Sequence, residues 1–306
     1  MKNSTFYVTN GVTQDGFGAR FQRCIQAMCL VYQLRSQGTP AEYVHTPFSY
    51  DEDNEINEDR TIGVGIRQDF TLANAYPYDD ISHEGYMKRS LLWDKALGFK
   101  GKTIYDLDLS KLTVKHGCRE LLADCAARNT ARSLYVVRYS HKEYDSKILD
   151  INSFSTYRNE ILNSFDFKKK KSTKKEIAIH IRRKDIIDKE HRHLTDSYYL
   201  TFLSELEKLK KKYNVTIYTQ EVGFDASLYL DWNVVFDSKE EDYTTFKKLV
   251  SADHLVVGSS SFSYAAALLN PNLVVYPYMT NSHIGLDSWI TASKYLNLLK
   301  TDSTDE

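Results

Sequence analysis

Three things are scarce in this chain of 306 residues: net charge, paired cysteine and long apolar runs. The formal net charge is -1, so no global basic field argues for a nucleic-acid partner. The cysteines Cys24, Cys29, Cys118 and Cys125 form no Cys-x-x-Cys pair. None has a His or Cys partner at ligand spacing, which speaks against zinc and for reduced, buried thiols. Cys118 and Cys125 lie two helical turns apart, on one helical face. No apolar run approaches membrane-spanning length. Met1 to Asn10 lacks the charged start and long apolar stretch of a signal peptide, so a cytoplasmic location is expected. Without such a signal, the acceptor triplet Asn3-Ser4-Thr5 carries no weight.

What is plentiful fits an ordinary soluble protein. Apolar content is 42% and charged content 26%, typical of a globular chain. The length suits one large domain or two ordinary ones. The 22 tyrosines are read mainly as strand and core residues, with a sugar- or partner-facing surface as the alternative.

The first half opens as strand, Gly-rich loop and helix. Thr5 to Thr9 has strand character, Asp15-Gly16-Phe17-Gly18 follows, and Ala19 to Arg35 is apolar at helical spacing. Glycines let a backbone approach a ligand, and a helix start offers unpaired N–H groups; a simple turn explains the same residues. Arg20 and Arg23 lie just beyond, and His45 ends a predicted second strand, Glu42 to His45. These three are candidate acceptor or phosphate contacts. Residues 51–60 read as an exposed acidic loop. Helices are predicted over Glu84 to Leu97, Arg119 to Asn129 and part of Tyr144 to Phe165, with a strand over Leu134 to Tyr139.

The Lys-rich run from Phe167 to Lys175 is the sharpest break in composition, because like charges resist burial. It divides the chain into predicted domains at 1–167 and 176–306, joined by a linker at 168–175. After it, strands and helices alternate. Strands are predicted at Ile177 to His180, Val215 to Thr219, Asn233 to Phe236, His254 to Val257 and Leu273 to Tyr276. Between them fall helices from Asp196 or Ser197 to Tyr213, Asp225 to Leu230, Asp242 to Ala252 and Ser261 to Asn270, with a closing helix over Leu286 to Leu299. That alternation is the signature of a parallel sheet with crossover helices.

Two strand ends carry the chemistry. The strand at Ile177 runs into His180, Arg182, Arg183 and Asp185, where an open α/β sheet binds ligands. Arginine there suits phosphate, since its planar fork donates two parallel bonds and stays charged. A solvated basic turn is the plain alternative. The strand at His254 runs into Gly258-Ser259-Ser260-Ser261-Phe262-Ser263 and a helix. Hydroxyls beside free helix N–H groups favour an anion, whereas ordinary capping needs one serine. A diphosphate would be held from both sides. Asp106-Leu107-Asp108 is a rival, metal-dependent site of the GT-A kind, and equally a solvated turn.

His180-Ile181-Arg182-Arg183-Lys184-Asp185 resembles the His-x-Arg motif of the metal-independent fucosyltransferases, the α1,2-, α1,6- and protein O-linked enzymes. Ser251 to Gly258 followed by Ser260-Ser261-Phe262 is similar to their later motif, Ile217 to Gln220 to their nucleotide-side strand and loop, and Gly16-Phe17-Gly18 to their N-terminal glycine loop. The four patches are spread over most of the chain, and little matches between Thr46 and Lys175. The resemblance implies a GT-B architecture of two Rossmann-like domains with an interdomain cleft. It implies GDP-fucose as donor, a glycan acceptor, inversion and no cofactor or metal. By position, Arg182 would bind the β-phosphate with His180 beside it, Asp253 would contact guanine, and Ser260, Ser261, Phe262, Gly16 and Gly18 would line the donor. Glu190 would be the base, with Asp185 and Asp188 as rivals. Other nucleotide sugars and a non-catalytic sugar- or nucleotide-binding module remain open readings.

Overall fold

The computed structural model describes residues 5–11, 16–50, 83–127, 132–137, 153–167, 174–183, 194–207, 212–221, 223–236, 242–277 and 285–302. The chain divides into two units, Met1–Asp166 and Phe167–Glu306. The sheet of each is wholly parallel, with helices as crossovers, so the α/β expectation holds for both.

The first unit holds β1 (Phe6–Asn10), α1 (Phe17–Ser36), β2 (Ala41–Tyr43), α2 (His83–Leu97), β3 (Thr113–His116), α3 (Cys118–Ala126), β4 (Ser133–Val137) and α4 (Ser153–Asn163). Its sheet order is β2-β1-β4-β3. Helix α1 is buried along most of its length, Arg20, Gln22, Arg23 and Gln26 included. Strand β3 had no reading in the sequence. Its residues are exposed or half-buried at the sheet edge, so they carry no apolar alternation.

The second unit holds β5 (Lys175–Ile181), α5 (Asp196–Glu207), β6 (Tyr213–Thr219), β7 (Asn233–Phe236), α6 (Asp242–Ser251), β8 (His254–Val256), α7 (Ser261–Leu269), β9 (Leu273–Val275) and α8 (Ala292–Asp302). Sheet order is β7-β6-β5-β8-β9. The chain winds outward from β5 to β7, crosses back, and winds outward again from β8 to β9. This is a doubly wound sheet whose direction reverses between β5 and β8.

Strand periodicity sorts β5 between two helical layers. Ile177, Ile179 and Ile181 face a core with Tyr199, Phe202, Leu203 and Leu206 of α5 and Tyr295 and Leu299 of α8. His180 faces the other layer, where Phe262 of α7 lies 5.6 Å from its ring and packs edge-on against Phe246 of α6.

Two predicted helix boundaries move. Tyr213, read as a last helical position, opens β6 and pairs with Lys175. The closing helix starts at Ala292 rather than Leu286, because Ile290 bridges to Val275 and cannot also be helical. The short turn of helix at Ala226–Tyr229 is 3-10, capped by Asp225.

Candidate functional site

The reversal between β5 and β8 is where a doubly wound sheet opens a crevice at the carboxyl ends of its strands. Two loops meet there. Gly258 follows β8, and a Cβ on it would stand 2.3 Å from the His180 carbonyl oxygen, so any other residue would collide with β5. Beyond it, Ser260 caps α7 by accepting the Phe262 N–H at 3.2 Å, and its own N–H donates to the Gly258 carbonyl at 2.8 Å. Arg182 reaches across from the end of β5, with Nη1 3.5 Å from Ser260 Oγ. The crevice therefore brings a half-buried guanidinium to the positive end of a helix.

Two polar atoms at this edge lie buried with no hydrogen-bond partner among the described residues: His180 Nδ1 and Ser259 Oγ. Each side chain is 2% exposed. Buried polar groups are rarely left unmade, so each of these atoms needs a partner that water or a ligand can supply. Burial, helped by the Arg182 charge, pushes His180 down to about 3. The imidazole is therefore neutral near pH 7, and the positive charge of the site belongs to Arg182.

The expected residues do not all gather. His180, Arg182, Ser260, Ser261 and Phe262 stand together at the carboxyl edge. Asp253 does not. It precedes β8, at the amino edge, where its Oδ2 accepts the Glu176 N–H at 2.9 Å. Glu176 and Arg182 are six strand positions apart, about 20 Å at roughly 3.3 Å each. Asp253 thus stands most of a strand's length from Arg182, and the structure does not bring it together with the phosphate-side residues. Its carboxylate instead satisfies a backbone donor at the start of β5. Asp185, Asp188 and Glu190 lie outside the described residues.

In the first unit, Gly16 precedes α1 without a positive φ, and the Ala19 and Arg20 N–H groups donate to its carbonyl. Gly18 is buried in the first turn. Arg20 is fully buried. It donates to the Phe48 carbonyl and to Ser90 Oγ (2.8 Å), and its guanidinium lies over the rings of Phe48 (4.8 Å) and Trp93 (5.4 Å). That is a packing role, tying α1 to α2, and it replaces the acceptor contact expected of Arg20. Arg23 and His45 are also buried, at 5% and 3% exposure, which leaves them no open face for an acceptor. His45 Nδ1 is 2.9 Å from Tyr43 Oη, and burial pushes it down to about 3.

Asp106 and Asp108 serve local turns. Asp106 accepts from the Thr103 N–H (2.7 Å) and Oγ1 (3.0 Å), closing a capping box, and these bonds hold it below the usual carboxylate range. Asp108 accepts from Ser110 Oγ at 2.6 Å and pairs with Lys111. The turn reading explains this triplet.

Sequence reasoning missed Ser259 and the role of Arg183. Arg183 is 1% exposed and points away from Arg182, to the α5 side. Strand alternation carried that signal: Ile177, Ile179, Ile181 and Arg183 share one parity, His180 and Arg182 the other.

No family model and no curated protein matches the chain. Among solved structures, it is similar to apo POFUT1 at 10% identity and a TM-score of 0.44, over 90% of this chain and 98% of that one. It is similar to E. coli heptosyltransferase WaaC with ADP at 9% and 0.40, over 98% of both chains. A third is the glycosyltransferase SnogD from Streptomyces nogalater, at 12% and 0.34, over 97% of this chain and 90% of that one.

Proposed function

We propose that the chain is a glycosyltransferase of the two-domain GT-B kind, holding the diphosphate of a nucleotide sugar in the β5/β8 crevice. The observation that carries this is Arg182 meeting the Ser260-capped start of α7 across the reversal of a doubly wound sheet. The first donor to test is GDP-fucose, on the His180-x-Arg182 and Gly258-to-Phe262 motifs, with a sugar hydroxyl of a glycan as acceptor. In this reading the second unit binds the donor and the first faces the acceptor.

The acceptor oxygen attacks the anomeric carbon from the face opposite the leaving group, so the configuration inverts. The bond from that carbon to the phosphate oxygen breaks, and its electron pair goes to the β-phosphate. Arg182 and the α7 N–H groups stabilise this charge most as it develops, which is how binding becomes rate. They take the place a metal holds in other transferases. A carboxylate accepts the hydroxyl proton. Glu190 is the first choice, with Asp185 as the competitor.

A second reading is transfer from a different nucleotide sugar. The position of Asp253 favours it, since that residue is occupied at the far edge of the sheet. Calorimetric titration with GDP, UDP and GDP-fucose in EDTA, on wild type and Arg182→Ala, separates the readings. GDP binding that is lost in the variant and absent for UDP supports the first. UDP binding moves the assignment to the second. Binding of neither sinks the proposal.

A further inference from the structure

We propose that Arg183 is the positioning residue of this site, a buried clasp that sets the main chain of Arg182 and joins it to the start of α5. The functional half of this inference rests on the phosphate reading above. Arg183 spends its guanidinium on three acceptors. Nη1 donates to the Arg182 carbonyl at 3.0 Å and to the Leu194 carbonyl at 3.1 Å. Nη2 donates to Asp196 Oδ1 at 2.5 Å, and the Tyr199 ring lies 5.5 Å from the guanidinium carbon. Asp196 is itself held, because Tyr229 Oη donates to the same Oδ1 at 2.6 Å.

An ion pair serving stability alone needs only Asp196. Here the second arm of the fork binds two main-chain carbonyls that stand on either side of residues 184–193. One side chain thus ties the end of β5, Leu194 just upstream of α5 and the first turn of α5 into a single frame. Only arginine offers donors in that fixed fork; lysine offers one compact ammonium. Parity completes the argument. Arg182 turns to Ser260 and Arg183 to Tyr199, so the clasp grips the Arg182 backbone from the face opposite the crevice. The guanidinium of Arg182 can be aimed without rebuilding at each binding event, because its own peptide is already pinned.

The test compares wild type with Arg183→Lys and, as a milder change that keeps the arginine, Tyr229→Phe. Two quantities are measured on folded protein: hydrogen exchange at Arg182, Arg183, Leu194 and Thr195 relative to Ile177–Ile181, and metal-free affinity for pyrophosphate. In Arg183→Lys, exchange at the four positions is expected to rise, and affinity to fall, by about tenfold, the worth of one or two lost bonds. Tyr229→Phe is expected to shift both the same way by about threefold. Unchanged exchange in both variants overturns the clasp. Faster exchange with unchanged pyrophosphate affinity overturns the positioning role and leaves a structural ion pair. If wild type binds neither pyrophosphate nor GDP, the phosphate reading and the positioning role fall together, and exchange alone decides the clasp.

Discussion

The carboxyl edges of the two sheets differ in how their polar groups are satisfied. At the first, the groups at the ends of β1 and β2 bond to one another. Thr9 Oγ1 lies 2.6 Å from Thr46 Oγ1. Asn10 donates to the Thr46 carbonyl (2.8 Å) and accepts from Tyr43 Oη (2.7 Å) and the Thr46 N–H (3.1 Å). Tyr43 Oη also meets His45, and the Gly11 N–H still bonds to Val137 beyond the strands. At the second, His180 Nδ1 and Ser259 Oγ are buried and unpartnered among the described residues, beside Arg182 and the Ser260-capped start of α7. Two histidines, each driven neutral by burial, therefore sit in opposite situations. A closed network orders a fold; an incomplete one leaves bonds for a ligand to make.

That contrast can be broken in four ways. The largest effect is expected from Arg182→Ala, which removes the charge of the second edge. It should fold normally, and GDP affinity and any transfer should drop by roughly 10²–10³. Near-normal turnover would remove the crevice from the mechanism. Next comes Gly258→Ala. With a Cβ site 2.3 Å from the His180 oxygen, the variant should lose about 3 kcal/mol by denaturant titration, and nucleotide binding with it. A drop below 1 kcal/mol would show that β5 and the Gly258 loop are less tightly joined than their geometry states.

Acid tests whether the two histidines are alike in burial despite their different partners. Each folded-state pKa, about 3, lies below the ordinary 6.5, so between those values the unfolded chain binds the extra proton. Stability therefore falls as pH drops from 6.5 towards 3, by about 1.4 kcal/mol per unit for each histidine. Replacing either His45 or His180 by Gln should remove about 1.4 kcal/mol per pH unit from the slope seen in chemical denaturation between pH 4 and 6. A slope untouched by one replacement would mean that its histidine is hydrated. The smallest effect is expected from Asp253→Asn. It weakens one bond at the amino edge, costs about 1 kcal/mol, and leaves GDP affinity unchanged in the same titration. Lost GDP affinity with stability intact would return Asp253 to the binding site.

Much of the second unit was legible along the chain. Four of its five strands are largely buried runs between turn signals, and the edge strand β7, exposed to half-buried, still carries the apolar run Val234-Val235-Phe236. The first unit was harder to read because β3 is an exposed edge strand and α1 is buried with its arginines and glutamines inside. A buried Arg20 and an exposed Arg20 look the same in a sequence. What distinguishes them is the carbonyl and the rings that meet the guanidinium, and Phe48, Ser90 and Trp93 come from elsewhere in the chain.

By itself the sequence determined the alternation of strand and helix after Lys175, the positively charged end of β5 and the serine-capped start of α7. These are local properties, set by periodicity and by the chemistry of adjacent residues. Only the tertiary structure decided which of them meet. Strand order put Arg182 and Ser260 on facing sides of the reversal at the carboxyl edge, and Asp253 at the opposite end of the same strands. Side-chain parity turned Arg183 inward to Asp196 while Arg182 kept the crevice. Pairing register and crossover direction bring distant residues together, and neither is written in any single stretch of the chain.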